Sequence, residues 1–380
     1  MAKKSSRKEK MINPEKIKRI AVLTGGGDCP GLNAVIKGLV RSAISEYGWE
    51  VLGIHDGFDG LLESSSEPLS SRMMSGLQLK GGTILGTSNR GNPLRYPMKE
   101  NGKSIFRDVT GEIVKNIKRM KIDVLVAVGG DGTMKIAQAM YEKGIPVVGV
   151  PKTIDNDLDV TDVTFGFNTA VDCATDALDR LHTTAESHHR VLVLEVMGRD
   201  CGWIALEAGI AGGADVILFP EIPFDLNGIC SHITGRKKKG KRFSIVIVAE
   251  GAFPEGGRKV YEKEPGADGT PGRLGGIGRW VAEKIGLLTN METRVTVLGH
   301  IQRGGTPTTY DRILATRFGV EAAHLIGEGK YGRMVCLRGR EIESANIKTA
   351  VKKLKVVDPN GQMVRTAESL GASVGRPQED

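Results

Sequence analysis

Cysteine is scarce and scattered in this 380-residue chain. Cys29, Cys173, Cys201, Cys230 and Cys336 form no Cys-x-x-Cys pair and no metal-ligand spacing. That excludes a cysteine-based metal site and implies reduced thiols of the cytoplasmic kind. Long apolar runs are missing too. None approaches the ~20 residues of a membrane helix, and the N-terminus has no apolar stretch of the kind a secretory signal needs. No short-period repeat is present, and no Gly-Lys-Ser/Thr follows the first glycine-rich loop, which rules out a Walker A phosphate loop. An excess of charge over the body of the chain is lacking as well. The net charge is +8, but residues 1–10 carry +4 and Arg236 to Arg242 carries +6. The remainder is therefore near −2, so the basic balance gives no case for nucleic acid.

The composition that is present, 40% hydrophobic and 26% charged with 51 glycines, is that of a globular protein with many tight turns. A chain this long predicts two domains. Strand and helix patterns alternate throughout. Arg19 to Leu23 reads as a strand, followed by a glycine loop and a helix with apolar residues at Leu32, Val35, Ile36, Leu39, Val40, Ala43 and Ile44. Further strands are predicted at 51–54, 124–128, 145–150, 191–196, 216–219, 243–248 and 294–298, and helices at 113–120, 168–184, 203–210, 226–235, 276–286 and 310–326. Such alternation predicts an α/β fold with mainly parallel sheets and helices on both faces. The expected layout is a disordered basic tail at 1–14, one domain from 15–166 plus about 302–350, and a second from 167–301 plus about 351–380. The tail could also serve targeting or partner binding.

Two loops carry the chemistry. Gly129-Gly130-Asp131-Gly132-Thr133 follows the apolar run 124–128, and Pro151-Lys152-Thr153-Ile154-Asp155-Asn156-Asp157 follows the run 145–150. Ligands of open α/β sheets bind beyond the carboxyl ends of the strands, so three carboxylates and a flexible backbone are expected in one crevice. Glycines let a phosphate chain approach closely, and a single carboxylate there can hold Mg²⁺ together with phosphate oxygens. Asp155 is placed to accept a proton from an attacking hydroxyl, with Asp157 supporting the metal or the base's position. The plainer readings are a helix-capping Asp131 and a pair of turn-forming aspartates. Gly25-Gly26-Gly27-Asp28 opens a helix and can offer amides to an anion, although a tight turn alone needs the same residues. Arg190, Arg199, Arg294 and Arg303 lie at strand ends, where their forks, with His300, could bind phosphate. His188 and His189 read as structural. Arg236 to Arg242 reads as a solvated turn, with an anion site as the alternative.

Together these segments resemble the 6-phosphofructokinase family. The matches run in order over roughly residues 18–340: Leu23 to Asp28, Gly82 to Gly91, Gly129 to Thr133, Thr153 to Asp157, Ser187 to Arg190, Glu195 to Arg199, Glu250, and Gly299 to Gly305 with Tyr310-Asp311-Arg312. The resemblance implies two Rossmann-like, doubly wound domains with the active site in the cleft between them. It implies transfer of phosphate from ATP, with Mg²⁺, to the 1-hydroxyl of fructose 6-phosphate in glycolysis, by a cytoplasmic homotetramer or homodimer.

By motif, Asp155 resembles the proton acceptor, Asp131 the Mg²⁺ ligand, and Thr153 and Arg199 the stabilisers of the transferring group. Gly27, Arg90, Gly91, Gly130, Asp131, Gly132 and Thr133 resemble the nucleotide contacts. Met197, Gly198, Glu250, His300 and Arg303 resemble the sugar-phosphate contacts, with Thr153, Ile154, Ile301 and Gln302 in the same set. Arg190 and Arg294 resemble arginines that the family reaches across from a neighbouring subunit. Lys37 and Arg41 resemble basic positions of an inter-subunit effector pocket.

Two departures bear on the donor. The loop around Asn89-Arg90 carries one residue more than in shorter bacterial relatives, which leaves the arginine's register open. Lys152 stands where those ATP-using relatives have glycine. Pyrophosphate-using relatives pair a lysine there with an acidic residue at the position of Gly132, and this chain has the lysine without the acid. A carboxylate at 132 would exclude the α-phosphate of a nucleotide, whereas an added lysine would not, so ATP is the expected donor and pyrophosphate the alternative. NAD and lipid kinases share the Gly-Gly-Asp-Gly-Thr loop but lack the Thr-Ile-Asp-Asn-Asp and His-Ile-Gln-Arg segments. A non-catalytic relative would need to have lost Asp131 or Asp155.

Overall fold

The computed structural model describes residues 12–88, 91–100, 103–266 and 272–377. Along the chain run β1 (Arg19–Thr24), α1 (Leu32–Tyr47), β2 (Glu50–Ile54), α2 (Phe58–Glu63), β3 (Ser66–Leu69), β4 (Tyr96–Glu100), β5 (Lys103–Arg107), α3 (Thr110–Arg119), β6 (Val124–Gly129), α4 (Asp131–Glu142) and β7 (Val147–Pro151). Then come α5 (Phe167–His188), β8 (Val191–Val196), α6 (Trp203–Ala211), β9 (Val216–Leu218), α7 (Leu226–Lys238), β10 (Ser244–Ala249), β11 (Tyr261–Lys263), β12 (Arg273–Leu274), α8 (Ile277–Thr289) and β13 (Thr293–Val297). The chain finishes with α9 (Thr309–Gly327), β14 (Arg333–Arg338), β15 (Glu341–Asn346), α10 (Ile347–Ala350) and α11 (Gln362–Ser369). Contacts divide it into two units. One holds the described parts of 1–153, 158–166 and 304–354, and the other those of 154–157, 167–303 and 355–380.

The first unit is built on a seven-stranded sheet in the order β15-β14-β7-β6-β1-β2-β3. Its five inner strands pair in parallel, and the edge strands β3 and β15 run antiparallel to their neighbours. The pleat sends alternate residues to opposite faces. Ala21 and Leu23 join a core with residues of α2, α3, α4 and α10, while the equally buried Ile20 and Val22 turn to the other side. There α1 and α9 cross closely because glycine stands at both contact points. A Cβ on Gly38 would lie 2.5 Å from the Thr316 carbonyl, and one on Gly319 would lie 2.3 Å from that of Val35. From β1 the chain steps to β2 on one side and later to β6 and β7 on the other. The switch point therefore falls between the carboxyl ends of β1 and β6, where such sheets bind ligands.

The second unit holds a four-stranded parallel sheet, β13-β8-β10-β9. Its inner strands β8 and β10 are buried along their whole length, which is why they read as apolar runs interrupted only by Glu195 and Ser244. The expected α/β class with mainly parallel sheets is what the chain adopts. Of the basic tail expected at 1–14, residues 1–11 lie outside the described set, and Asn13 caps a single 3₁₀ turn at Pro14–Lys16. The run at Arg236 is not a simple turn. α7 continues through Lys238, where cations complement the helix's negative end, and Arg236 pairs with Asp215 at 2.6 Å. No helix among the described residues is long and apolar enough to cross a membrane.

Candidate active site

At the switch point of the first unit, the loop after β1 is tied to the end of β6 and to the segment around Thr87. The Gly25 amide donates to the Val128 carbonyl at 2.9 Å, and Thr87 Oγ1 donates to the Gly26 carbonyl at 2.5 Å. The buried Thr133 lies over both loops. A Cβ on Gly25 or Gly129 would come within 2.7 or 2.3 Å of its Oγ1. Only glycine permits that approach. Asp131 is the first residue of α4, so its carboxylate sits among the unsatisfied amides of a helix N-terminus. Lys135, one turn on, pairs with it at 2.6 Å. Gly132 faces open space, because an added Cβ would meet nothing within 4 Å. Gly130 caps the same helix.

Lys152 is turned inward instead of lying open beside a phosphate path. It is 4% exposed, its amide donates to the Gly129 carbonyl at 3.0 Å, and its ammonium donates to the Gly27 carbonyl. Lys152 thus pins the first glycine loop to the end of β7. Thr153 follows, its carbonyl accepting from Thr164 Oγ1 at 2.7 Å. Arg90 lies outside the described residues. Gly91 lies against the Asp59 carboxylate, which a Cβ there would strike at 1.8 Å.

The peptide bond from Thr153 leads into the second unit at Ile154. Ile154 is buried, and Asn156 takes a left-handed conformation with φ of 54° between the two aspartates. Asp155 is half-buried as a residue, with Oδ1 fully covered. Burial, and next the negative charge of Asp157, push its carboxyl up to about 7, against the pull of Arg303; Glu250 and Asp200 push the same way. Burial and Glu195 likewise raise Glu250, while Arg199 and Arg303 act to lower it.

The carboxyl ends of β8, β10 and β13 carry most of the remaining residues of this unit, whereas Arg190 and Arg294 stand at the amino ends of β8 and β13. Met197, Gly198 and Arg199 follow β8, Glu250 follows β10, and His300 to Arg303 form a short turn after β13. Gln302 was expected among the substrate contacts, yet it is 1% exposed and its Oε1 accepts from the Met197 amide at 2.7 Å. It braces the Met197 loop. Ile301, by contrast, is 67% exposed. The Arg199 guanidinium donates to the Gly272 carbonyl, and Lys259 holds the same loop through the Arg199 carbonyl at 2.6 Å and Asp200 at 2.8 Å. Arg190 and Arg294 both lean on Glu292, Arg190 at 2.9 Å, and Arg294 is largely exposed. The brace from Lys259 was not foreseen, since no local pattern marks it. Glu195, the first residue of the matched Glu195 to Arg199 segment, is buried and accepts from the Gly276 and Gly278 amides at 3.3 and 2.7 Å.

The sequence profile of the phosphofructokinase family matches residues 19–326. The chain belongs to the phosphofructokinase family. It is 53% identical over 365 residues to a Clostridium perfringens protein named ATP-dependent 6-phosphofructokinase 2, covering 96% of this chain and 99% of that one. It is also 49% identical over 342 residues to a Streptomyces coelicolor protein named pyrophosphate–fructose 6-phosphate 1-phosphotransferase, covering 90% of this chain and 96% of the relative. Among solved structures, the phosphofructokinase of Saccharomyces cerevisiae superposes with a TM-score of 0.74 at 31% identity, over 88% of this chain and 45% of the yeast chain. This phosphofructokinase-family chain thus has relatives of both donor types at similar identity.

Proposed function

We infer that this chain transfers the terminal phosphoryl group of ATP to the 1-hydroxyl of fructose 6-phosphate. The observation that carries the donor is Gly132. With no side chain and open space where one would stand, it leaves room for the α-phosphate of a nucleotide. Gly27, Gly91, Gly130 and Thr133 line the same set of loops, and Arg90 is assigned with them by motif. Asp131 suits Mg²⁺, which takes one or two carboxylates and fills its shell with phosphate oxygens and water. Among the described residues no three His, Cys, Asp or Glu side chains form a protein-only cage, in keeping with that mode. Lys135 would release Asp131 when the metal enters. Bound there, the ion offsets charge on the phosphates.

Asp155 is the base. A carboxylate raised to about 7 is matched to accepting a hydroxyl proton near neutral pH. Arg303 is the cation that keeps it from rising further. Thr153 and Arg199 stabilise the transferring group, Arg199 exchanging its bond to the Gly272 carbonyl for phosphate. Met197, Gly198, Glu250, His300, Ile301 and Arg303 bind the sugar phosphate, and Gln302 acts by holding Met197. Ile154 contributes backbone alone, its side chain being buried.

Arg190 and Arg294 serve a neighbouring subunit in a homodimer or homotetramer. Supporting this, Arg294 stands on β13, an edge strand whose Val297 is exposed. The five cysteines are all free thiols, in keeping with a cytoplasmic enzyme. A second reading, pyrophosphate as donor, has Lys152 and the Streptomyces relative behind it, but lacks the acidic residue at 132. Measuring ATP turnover with and without fructose 6-phosphate tests the proposal. Turnover should require the sugar, and the product should carry its new phosphate on C1. ATP hydrolysis indifferent to the sugar would count against it.

A further inference from the structure

The segment after Leu354 returns to the second unit and ties itself to the Asn156–Asp157 turn. The Lys355 amide donates to the Asp157 carbonyl at 2.9 Å, and the Lys355 ammonium donates to Asn156 Oδ1 at 2.8 Å. Its carbonyl accepts from Trp203 Nε1 at 2.9 Å, and the ammonium lies 5.9 Å from the Trp203 ring centre. Two residues on, the Val357 amide donates to Glu221 Oε1 at 2.8 Å, and the same oxygen accepts from the Gly202 amide at 3.0 Å. One residue thus grips the turn through both main chain and side chain; its carbonyl is anchored on α6, and Val357 anchors the same segment on Glu221.

We propose that Lys355 is a positioning residue for phosphoryl transfer, holding the Asn156 turn so that the neighbouring Asp155 carboxylate stays aimed at the acceptor hydroxyl. The proposal rests on the reading of Asp155 as base. Asn156 is held in the left-handed region, a conformation that persists only where surroundings over-determine it. The bond to its side chain is part of that determination. Without it the turn can relax toward extended backbone and carry Asp155 with it, and a displacement of about 1 Å can cost on the order of 10²-fold in rate. The bonds that Lys355 makes are to the turn, which places its role in aiming and not in binding, so substrate affinity should be almost untouched.

The test uses the full-length enzyme with ATP and fructose 6-phosphate. Lys355→Met keeps the aliphatic stem and removes the donor. It should lower kcat by roughly 10- to 100-fold while both KM values stay within about threefold. Lys355→Gln keeps a donor without the charge and should retain more of kcat than the Met variant. Asn156→Gly keeps the left-handed backbone and removes the acceptor. Combined with Lys355→Met it should lose clearly less than the product of the two single losses, because the two substitutions break a shared bond. Near-parent kcat in Lys355→Met, a loss confined to KM, a Gln variant no better than Met, or multiplying losses in the double variant would each overturn the proposal. Asp155→Asn run alongside separates the two ideas. If it retains near-normal kcat, the base assignment fails and this proposal with it; if it is crippled while Lys355→Met is normal, only the role of Lys355 falls.

Discussion

Replacing Asp155 by asparagine should slow the enzyme and stabilise it at once. The carboxyl is pushed from 3.8 to about 7 by burial and by Asp157, a shift of roughly 3 pH units at ~1.4 kcal/mol each. Between those values the folded chain keeps a proton that the unfolded chain has released. Stability therefore falls as pH rises through that window, and above pH 7 the full cost of up to ~4 kcal/mol is present. Asparagine has the same shape and never ionises. The variant should be more stable than the parent at pH 8 by as much as that amount, and the advantage should fade as pH falls toward 4. Its kcat should drop by roughly 10²–10⁴, the usual worth of a general base. The parent's kcat/KM should rise with pH and level off above about 7 as the free enzyme's base loses its proton. Thermal unfolding of both proteins across pH 4–8, with pH-rate profiles, reads all of this. A variant that unfolds more easily than the parent at pH 8, or turns over at the parent's rate, would refute the reasoning.

Gly132→Asp should fold normally, since its Cβ meets nothing within 4 Å and an acid suits a helix's first turn. Its kcat/KM for ATP should fall at least about tenfold, ~1.4 kcal/mol, with weak pyrophosphate activity emerging; unchanged use of ATP would remove Gly132 from donor choice. Arg294→Ala should raise KM for fructose 6-phosphate more than for ATP, through loss of a phosphate fork. Subunit exchange between this variant and Asp155→Asn should restore activity if sites are shared across subunits, and strict additivity of the two would argue that they are not.

What could be read from the sequence was the part in which local pattern and chemistry coincide. The apolar runs before Gly129 and Pro151 are strands because both their faces are buried, and the glycine loops follow them directly. The elements that escaped reading are those held by distant partners. β15 has few apolar residues and exists through its backbone pairing with β14. Arg236 looked solvated, but its partner Asp215 lies on a loop before β9. Lys152 stood out only as a departure bearing on donor choice, and the fold shows its ammonium on the Gly27 carbonyl. Lys355 reaches Asn156 across 199 residues of chain, a separation no local periodicity can signal. Gln302 was recognised by motif, but its inward turn toward Met197 could not be read from residue type alone.

The central claim is phosphoryl transfer from ATP to fructose 6-phosphate through an unobstructed Gly132. Initial rates of fructose 1,6-bisphosphate formation with Mg²⁺, measured side by side with ATP and with pyrophosphate as the sole donor, test it most directly. The account predicts a kcat/KM for ATP at least about tenfold above that for pyrophosphate, equivalent to ~1.4 kcal/mol of transition-state binding. Product formed from pyrophosphate alone, with ATP inert, would contradict it.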